Sequence, residues 1–138
     1  MRLRSCALAL PAMELEGALP NYFTINGKAY PETQTVRMRV GETLLVRFIG
    51  TNSGFIHPMH IHGGPFRIVE TDGNPVPTVG QWVKDTVNVG PGERYDVLWE
   101  AREPGKWLLH CHINHHTTNN NVEQEGGGGL MLIIDVAP

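Results

Sequence analysis

A chain of 138 residues, 41% of them hydrophobic, is long enough for one domain with a buried core. A net charge of -3 with 18% charged residues gives no basis for a nucleic-acid partner or an anionic membrane surface. No apolar run approaches the length of a membrane span.

In chain order, Met1 to Met13 imitates a secretory leader, with Arg2 and Arg4 ahead of small apolar residues. The apolar run stops at Pro11, and the residues directly before Glu14, Pro11-Ala12-Met13, do not form a small-x-small cleavage site. Residues 1–20 therefore read as a linker remnant or a poor leader, and the domain proper is expected over 21–138. Within it, 35–40 alternates Val36, Met38 and Val40 against Arg37 and Arg39, the period of a strand. Residues 43–49 (TLLVRFI) are apolar enough for a central strand, and 66–69, 84–89, 94–99, 106–112 and 130–136 complete the set. Asn26-Gly27, Asp72-Gly73-Asn74-Pro75, Pro91-Gly92 and Pro104-Gly105 mark the turns. No segment holds a 3.6-residue apolar period. The expectation is all-β, a Greek-key β-sandwich or small barrel. Residues 117–129 (TTNNNVEQEGGGG) are polar and glycine-rich and read as a mobile loop.

All seven histidines fall in two short segments, His57-Pro58-Met59-His60-Ile61-His62 and His110-Cys111-His112-Ile113-Asn114-His115-His116. Imidazole and thiolate are the donors that suit copper and zinc. Cys111, flanked by two histidines, reads as a ligand rather than half of a bridge to Cys6, which reads as an incidental thiol. On a strand over 106–112, Trp107, Leu109 and Cys111 share one face while Leu108, His110 and His112 share the other. His60 and His62 share a face, and His57 lies at an odd offset from both, with Pro58 expected to bend the path. The donors thus divide into His57, Cys111 and a downstream histidine on one side, and His60, His62, His110 and His112 on the other. Two histidines with one buried cysteine make the trigonal site of blue copper. Zinc fits less well, because a structural zinc site closes four ligands with more than one cysteine or a compact histidine set. A cupin reading of His60-x-His62 fails, since the next carboxylate is Glu70.

The segments HPMHIHG and HCHINHH resemble the two copper motifs in the C-terminal cupredoxin (plastocyanin-like) domain of bacterial multicopper oxidases, the laccase-like enzymes. The resemblance covers residues 21–138 and implies a sandwich of the cupredoxin type. It implies His57, Cys111 and His116 as type 1 copper ligands, His60 as the type 2 ligand, and His62, His110 and His112 as type 3 ligands. His115 matches no family role and is expected on the loop surface. The implied activity is an electron relay. A reducing substrate (a phenol, an amine or a metal ion) gives electrons at an exposed edge of His116 or His57. They pass through Cys111 to a trinuclear copper cluster, where dioxygen becomes water.

Two departures from the family pattern follow. The axial neighbour of the type 1 copper stands after an insertion, and strand alternation favours Leu130 over Met131, whose thioether would give a lower potential. The chain has no histidine outside its two motifs, so its four outward imidazoles are half a cluster. An N-terminal cupredoxin domain or a second subunit must complete it, and two copies of this chain facing each other would also supply the number. The isolated monomer is expected to be inactive as an oxidase. The alternative is a self-sufficient single-copper cupredoxin that carries electrons. Family habit implies a periplasmic or extracellular setting.

Overall fold

Short runs of alternating apolar and polar residues, each closed by a turn, fold this chain into strands and little else. The computed structural model describes residues 3–9, 20–51 and 54–138. Its strands are β1 (Leu3–Ala9), β2 (Val36–Arg39), β3 (Thr43–Ile49), β4 (His57–Ile61), β5 (Phe66–Thr71), β6 (Asn74–Pro75), β7 (Val83–Lys84), β8 (Thr86–Val89), β9 (Arg94–Glu100), β10 (Gly105–Cys111) and β11 (Met131–Ala137). One sheet runs β1-β3-β9-β5-β6, with β7 also on β5, and the other runs β2-β11-β10-β4-β8. This is the all-β sandwich that the strand pattern and the cupredoxin resemblance imply. The helical turns among the described residues are two short 3-10 pieces, Thr78–Gly80 and Asn114–Thr117, and no helix is long and apolar enough to cross a membrane.

The inward faces of the two sheets meet in one core. Phe48, Phe66, Ile68, Val97 and Trp99 come from the first sheet, and Met59, Ile61, Leu109, Leu132 and Ile134 from the second, all at most 1% exposed. Each such side chain contributes about 1.5–3 kcal/mol on burial. The hairpin between β5 and β6 turns on Asp72 (φ 51°) and Gly73 (φ 83°), the left-handed pair that suits the twist of a tight hairpin.

The seven expected strands are all present, with ends shifted by a residue or two and 84–89 interrupted at Asp85. Three features differ from expectation. First, β1 lies in the stretch read as linker or leader. It pairs in parallel with β3 and buries Leu8, so the sandwich takes in residues ahead of the expected boundary at 21. Asn26 latches it, its Nδ2 donating to the Ala7 carbonyl (2.9 Å) and its Oδ1 accepting from the Ala9 N–H (2.8 Å). The rest of the leader-like stretch, Met1, Arg2 and residues 10–13, lies outside the described residues.

Second, Pro58 does not bend its segment, because β4 runs unbroken from His57 to Ile61. The Pro58 carbonyl accepts the His112 N–H (2.8 Å). Its missing N–H faces that same side, beyond the last β4–β10 ladder pair, Cys111 with Met59.

Third, the loop 117–129 is tied down by hydrogen bonds of its own and closes at its base, where the Leu130 N–H donates to the His116 carbonyl (2.9 Å). Inside it Asn119 bridges outward. Its Nδ2 donates to the Tyr30 carbonyl (2.8 Å) and its Oδ1 accepts the Gly129 N–H (3.0 Å).

Trp99 also donates through Nε1 to the Gly64 carbonyl (3.2 Å), tying β9 to the turn beyond β4. Trp99→Ala should lower the unfolding free energy by about 3–5 kcal/mol, read by urea unfolding of the metal-free chain.

Candidate metal centre

Strand β10 carries donors on both of its faces. Alternation turns Leu109 and Cys111 to the core and His110 away from it. Across the ladder Cys111 lies opposite Met59 of β4, and His110 lies opposite His60. Directly paired residues share a face of the sheet. Met59 and Cys111 therefore point inward together, and His60 and His110 outward together. His57, at an odd offset from His60 on the unbroken strand, points inward with Met59 and is fully buried.

The third inward donor is His116, delivered by the 3-10 turn Asn114–Thr117 just after β10. His57 Nδ1 lies 3.1 Å from His116 Nδ1, and Cys111 Sγ lies 3.5 Å from the same nitrogen. One donor atom from each of the three residues lies within 4.8 Å of the others. Bonds of about 2.0 Å to nitrogen and about 2.3 Å to sulfur set donors of one ion roughly 3.2–3.8 Å apart. The trio fits a single soft or borderline ion. His57 Nε2 is buried without a hydrogen-bond partner among the described residues, so nothing pulls that ring out of the cluster. Both cysteines are free thiols.

Burial lowers His57 to about 4. It lowers His116 to about 4 as well, with repulsion from His57 and His115 adding to the effect. Burial raises the Cys111 thiol to about 11, although the Ile113 N–H at the sulfur acts the other way. At neutral pH both imidazoles are uncharged and offer lone pairs. The thiol still holds its proton, which a metal ion displaces on binding.

Leu130, the residue just ahead of β11, closes the pocket. Its N–H donates to the His116 carbonyl (2.9 Å) and its carbonyl accepts the Cys111 N–H (3.0 Å), so its backbone is bonded to two of the three donor residues. Its side chain is fully buried in the cluster that contains Cys111. Met131 pairs with His110 across the β10–β11 ladder and so takes the opposite face, where its thioether lies against Gly127.

On the outer face the rings of His60, His62, His110 and His112 gather with neighbouring centroids 4.8–5.7 Å apart. His60 Nδ1–H donates to the Asp85 carbonyl (2.7 Å) and His110 Nδ1–H to the Cys111 carbonyl (2.9 Å). Each bond fixes the tautomer and puts the lone pair on Nε2, as at metal-ligating histidines. His62 Nε2 sits 3.0 Å from His110 Nε2. Burial, with repulsion among the neighbouring imidazoles, lowers His62 and His110. Gly63 (φ 82°) turns the chain after His62 against Trp107, whose ring would lie 2.8 Å from a Cβ there.

The structure thus brings together both expected donor sets, but not the exposed imidazole edge. His57 is 0% and His116 2% exposed. Phe23 stacks on His116 at 4.1 Å, and Phe55 meets the same ring edge-on at 5.6 Å. Neither phenylalanine was legible as part of the centre, because both stand outside the histidine motifs and reach it only through tertiary packing. His115, as expected, lies on the surface.

Comparison with known proteins agrees with this geometry. Residues 9–123 match the family model described as multicopper oxidase. The chain is 36% identical over 103 residues to the multicopper oxidase MmcO of Mycobacterium tuberculosis, covering 74% of this chain and 19% of that protein. It is 31% identical over 108 residues to the multicopper oxidase mco of Staphylococcus aureus, covering 75% of this chain and 24% of that protein. Among solved structures, the multicopper oxidase mgLAC superposes with a TM-score of 0.88 at 31% identity, over 98% of this chain and 45% of that one. The blue copper oxidase from Nitrosomonas europaea gives 0.87 at 35% identity, over 96% and 43%. The chain therefore spans about a fifth to a quarter of these two curated relatives and less than half of these two solved structures.

The buried donors set the pH range of the metal-free fold. Below their ordinary value of 6.5, His57 and His116 take up protons more readily unfolded than folded. Their contribution is whole above pH 6.5 and is lost as pH falls towards about 4. Cys111 has the opposite sign, since its contribution is whole below 9.0 and is lost as pH rises towards about 11. Thermal melts in a chelator should show a plateau between these limits and a fall on both sides. The acid limb should approach about 1.4 kcal/mol per pH unit for each proton taken up.

Proposed function

This chain belongs to the multicopper oxidase family, and from that premise we propose that it is the domain that receives single electrons in the buried centre and forwards them to the outer imidazole cluster. In this reading His57, Cys111 and His116 would hold the type 1 copper, and Leu130 would line the site as a non-coordinating neighbour. His60 holds the type 2 copper, and His62, His110 and His112 are this domain's share of the type 3 ligands. Bound copper supplies the one-electron redox chemistry and, at the completed cluster, the reduction of dioxygen to water.

The observation that carries the reading is the placement of the two donor sets back to back on β10. Cys111 and His110 are consecutive, and the Cys111 carbonyl also accepts a hydrogen bond from His110 Nδ1–H (2.9 Å). The sulfur ligand is thus joined to an outer ligand by the main chain and by a bond that bypasses part of it. His112 extends the same route on the other side of Cys111. A protein that only carried electrons on one copper would leave the fixed tautomers of His60 and His110 without a purpose.

The outer imidazoles of this chain are half of the family's set. A second cupredoxin domain, N-terminal in a longer protein or contributed by another subunit, completes the cluster. The limited share of each relative that this chain spans supports that requirement. The oxidase activity then belongs to the assembly, with dioxygen as acceptor and a phenol, an amine or a metal ion as donor. A periplasmic or extracellular setting follows from the family resemblance.

The full chain loaded with copper should show an intense blue absorption band from one retained copper, and Cys111→Ser should abolish it. A wild-type chain without the band, or a band that survives the substitution, overturns the type 1 assignment. Leu130→Met should keep the band and lower the reduction potential, measured by redox titration.

A further inference from the structure

The imidazoles of the buried centre are sealed from solvent, so the route by which an electron reaches them is a property of this chain's own surface. His116 is 2% exposed beneath the stacked ring of Phe23 and the edge of Phe55, and His57 is 0% exposed. Neither offers a reductant a contact.

We propose that His115, which is not a ligand, is the residue on which an aromatic reductant bearing an O–H or N–H group docks to deliver its electron to the centre. The inference rests on the reading of His57, Cys111 and His116 as copper ligands. His115 is exposed, is joined to His116 by a peptide bond, and has its ring centroid 5.9 Å from that of His116. It also meets Phe23 edge-on at 5.4 Å, and Phe23 lies stacked on His116. Contact therefore runs from the surface ring to the buried one by two paths, one direct and one through Phe23.

The chemistry of the exposed ring selects the donor. His115 Nε2–H donates to the Pro20 carbonyl (3.2 Å), which fixes the tautomer and the ring plane. Nδ1 is then a lone pair with no hydrogen-bond partner among the described residues. A surface acceptor held beside an aromatic edge matches a planar ring that carries a hydrogen-bond donor. Each docking event transfers one electron. The reductant would lose one electron to a copper(II) held by His57, Cys111 and His116, and the proton shed by its O–H or N–H group would leave to solvent water, with no covalent bond to His115 made or broken.

The test uses the full copper-loaded chain without oxygen, following bleaching of the blue band by hydroquinone and, separately, by ferrous ion. His115→Phe keeps a ring but removes the acceptor, and His115→Gln keeps an acceptor. Bleaching by hydroquinone should slow at least tenfold in His115→Phe and recover in part in His115→Gln, with band intensity and midpoint potential unchanged. An unchanged hydroquinone rate in His115→Phe overturns the proposal. So does a loss confined to ferrous ion, which would make the site one for a metal reductant. If either substitution abolishes the band, His115 holds the centre together instead of feeding it, and the proposal fails. A wild-type chain with no band at all points to failure of the underlying copper assignment.

Discussion

The whole arrangement depends on side-chain alternation along one strand. Cys111 faces the core because it is an even number of residues from Leu109, and His110 faces away because it is an odd number. A slip of β10 by one residue would turn the sulfur to solvent and drive imidazoles into the apolar interior. The register is held from both sides, by β11 through pairs such as Leu109 with Leu132 and by β4 through Cys111 with Met59. The packed core between the sheets is thus the device that keeps two donor sets on opposite faces and one covalent step apart.

The same burial that fixes the geometry prepares the chemistry. Two neutral imidazoles and a protonated thiol in an apolar pocket are poorly solvated, and a soft ion relieves that by taking their lone pairs and displacing the thiol proton. The aromatic cover of Phe23 and Phe55 keeps water from the pocket. Leu130 adds a buried side chain without a donor atom to the same cluster, which in the proposed copper reading raises the potential. Its position depends on the fold of the insertion. Asn119 draws 117–129 together, so that Leu130 returns to bond the backbones of His116 and Cys111.

Much of this was legible from residues alone. The apolar run at 43–49 became β3 with no change of bounds, and parity sorted His57, His60, His110 and Cys111 onto their observed faces, His57 across a proline, whereas a 3-10 turn places His116. What escaped was non-local. The Arg-then-apolar start of β1 imitates a leader, and its role as a strand shows only when β3 lies beside it. The glycines of 117–129 signal a loop, but they do not show that Asn119 will reach Tyr30, distant in sequence. The histidine motifs point to candidate donors and not to their cover, so the sealing of His116 by Phe23 had no local signature.

Which face of β10 takes the first copper is the most direct question that one measurement can decide. X-ray absorption at the copper edge, on the full chain loaded with one equivalent, reads the donor atoms themselves. The structure predicts one short copper–sulfur distance with nitrogen neighbours, from Cys111, His57 and His116. A shell of nitrogen alone, with no sulfur scatterer, would place the ion on the outer imidazoles and contradict the buried cysteine centre.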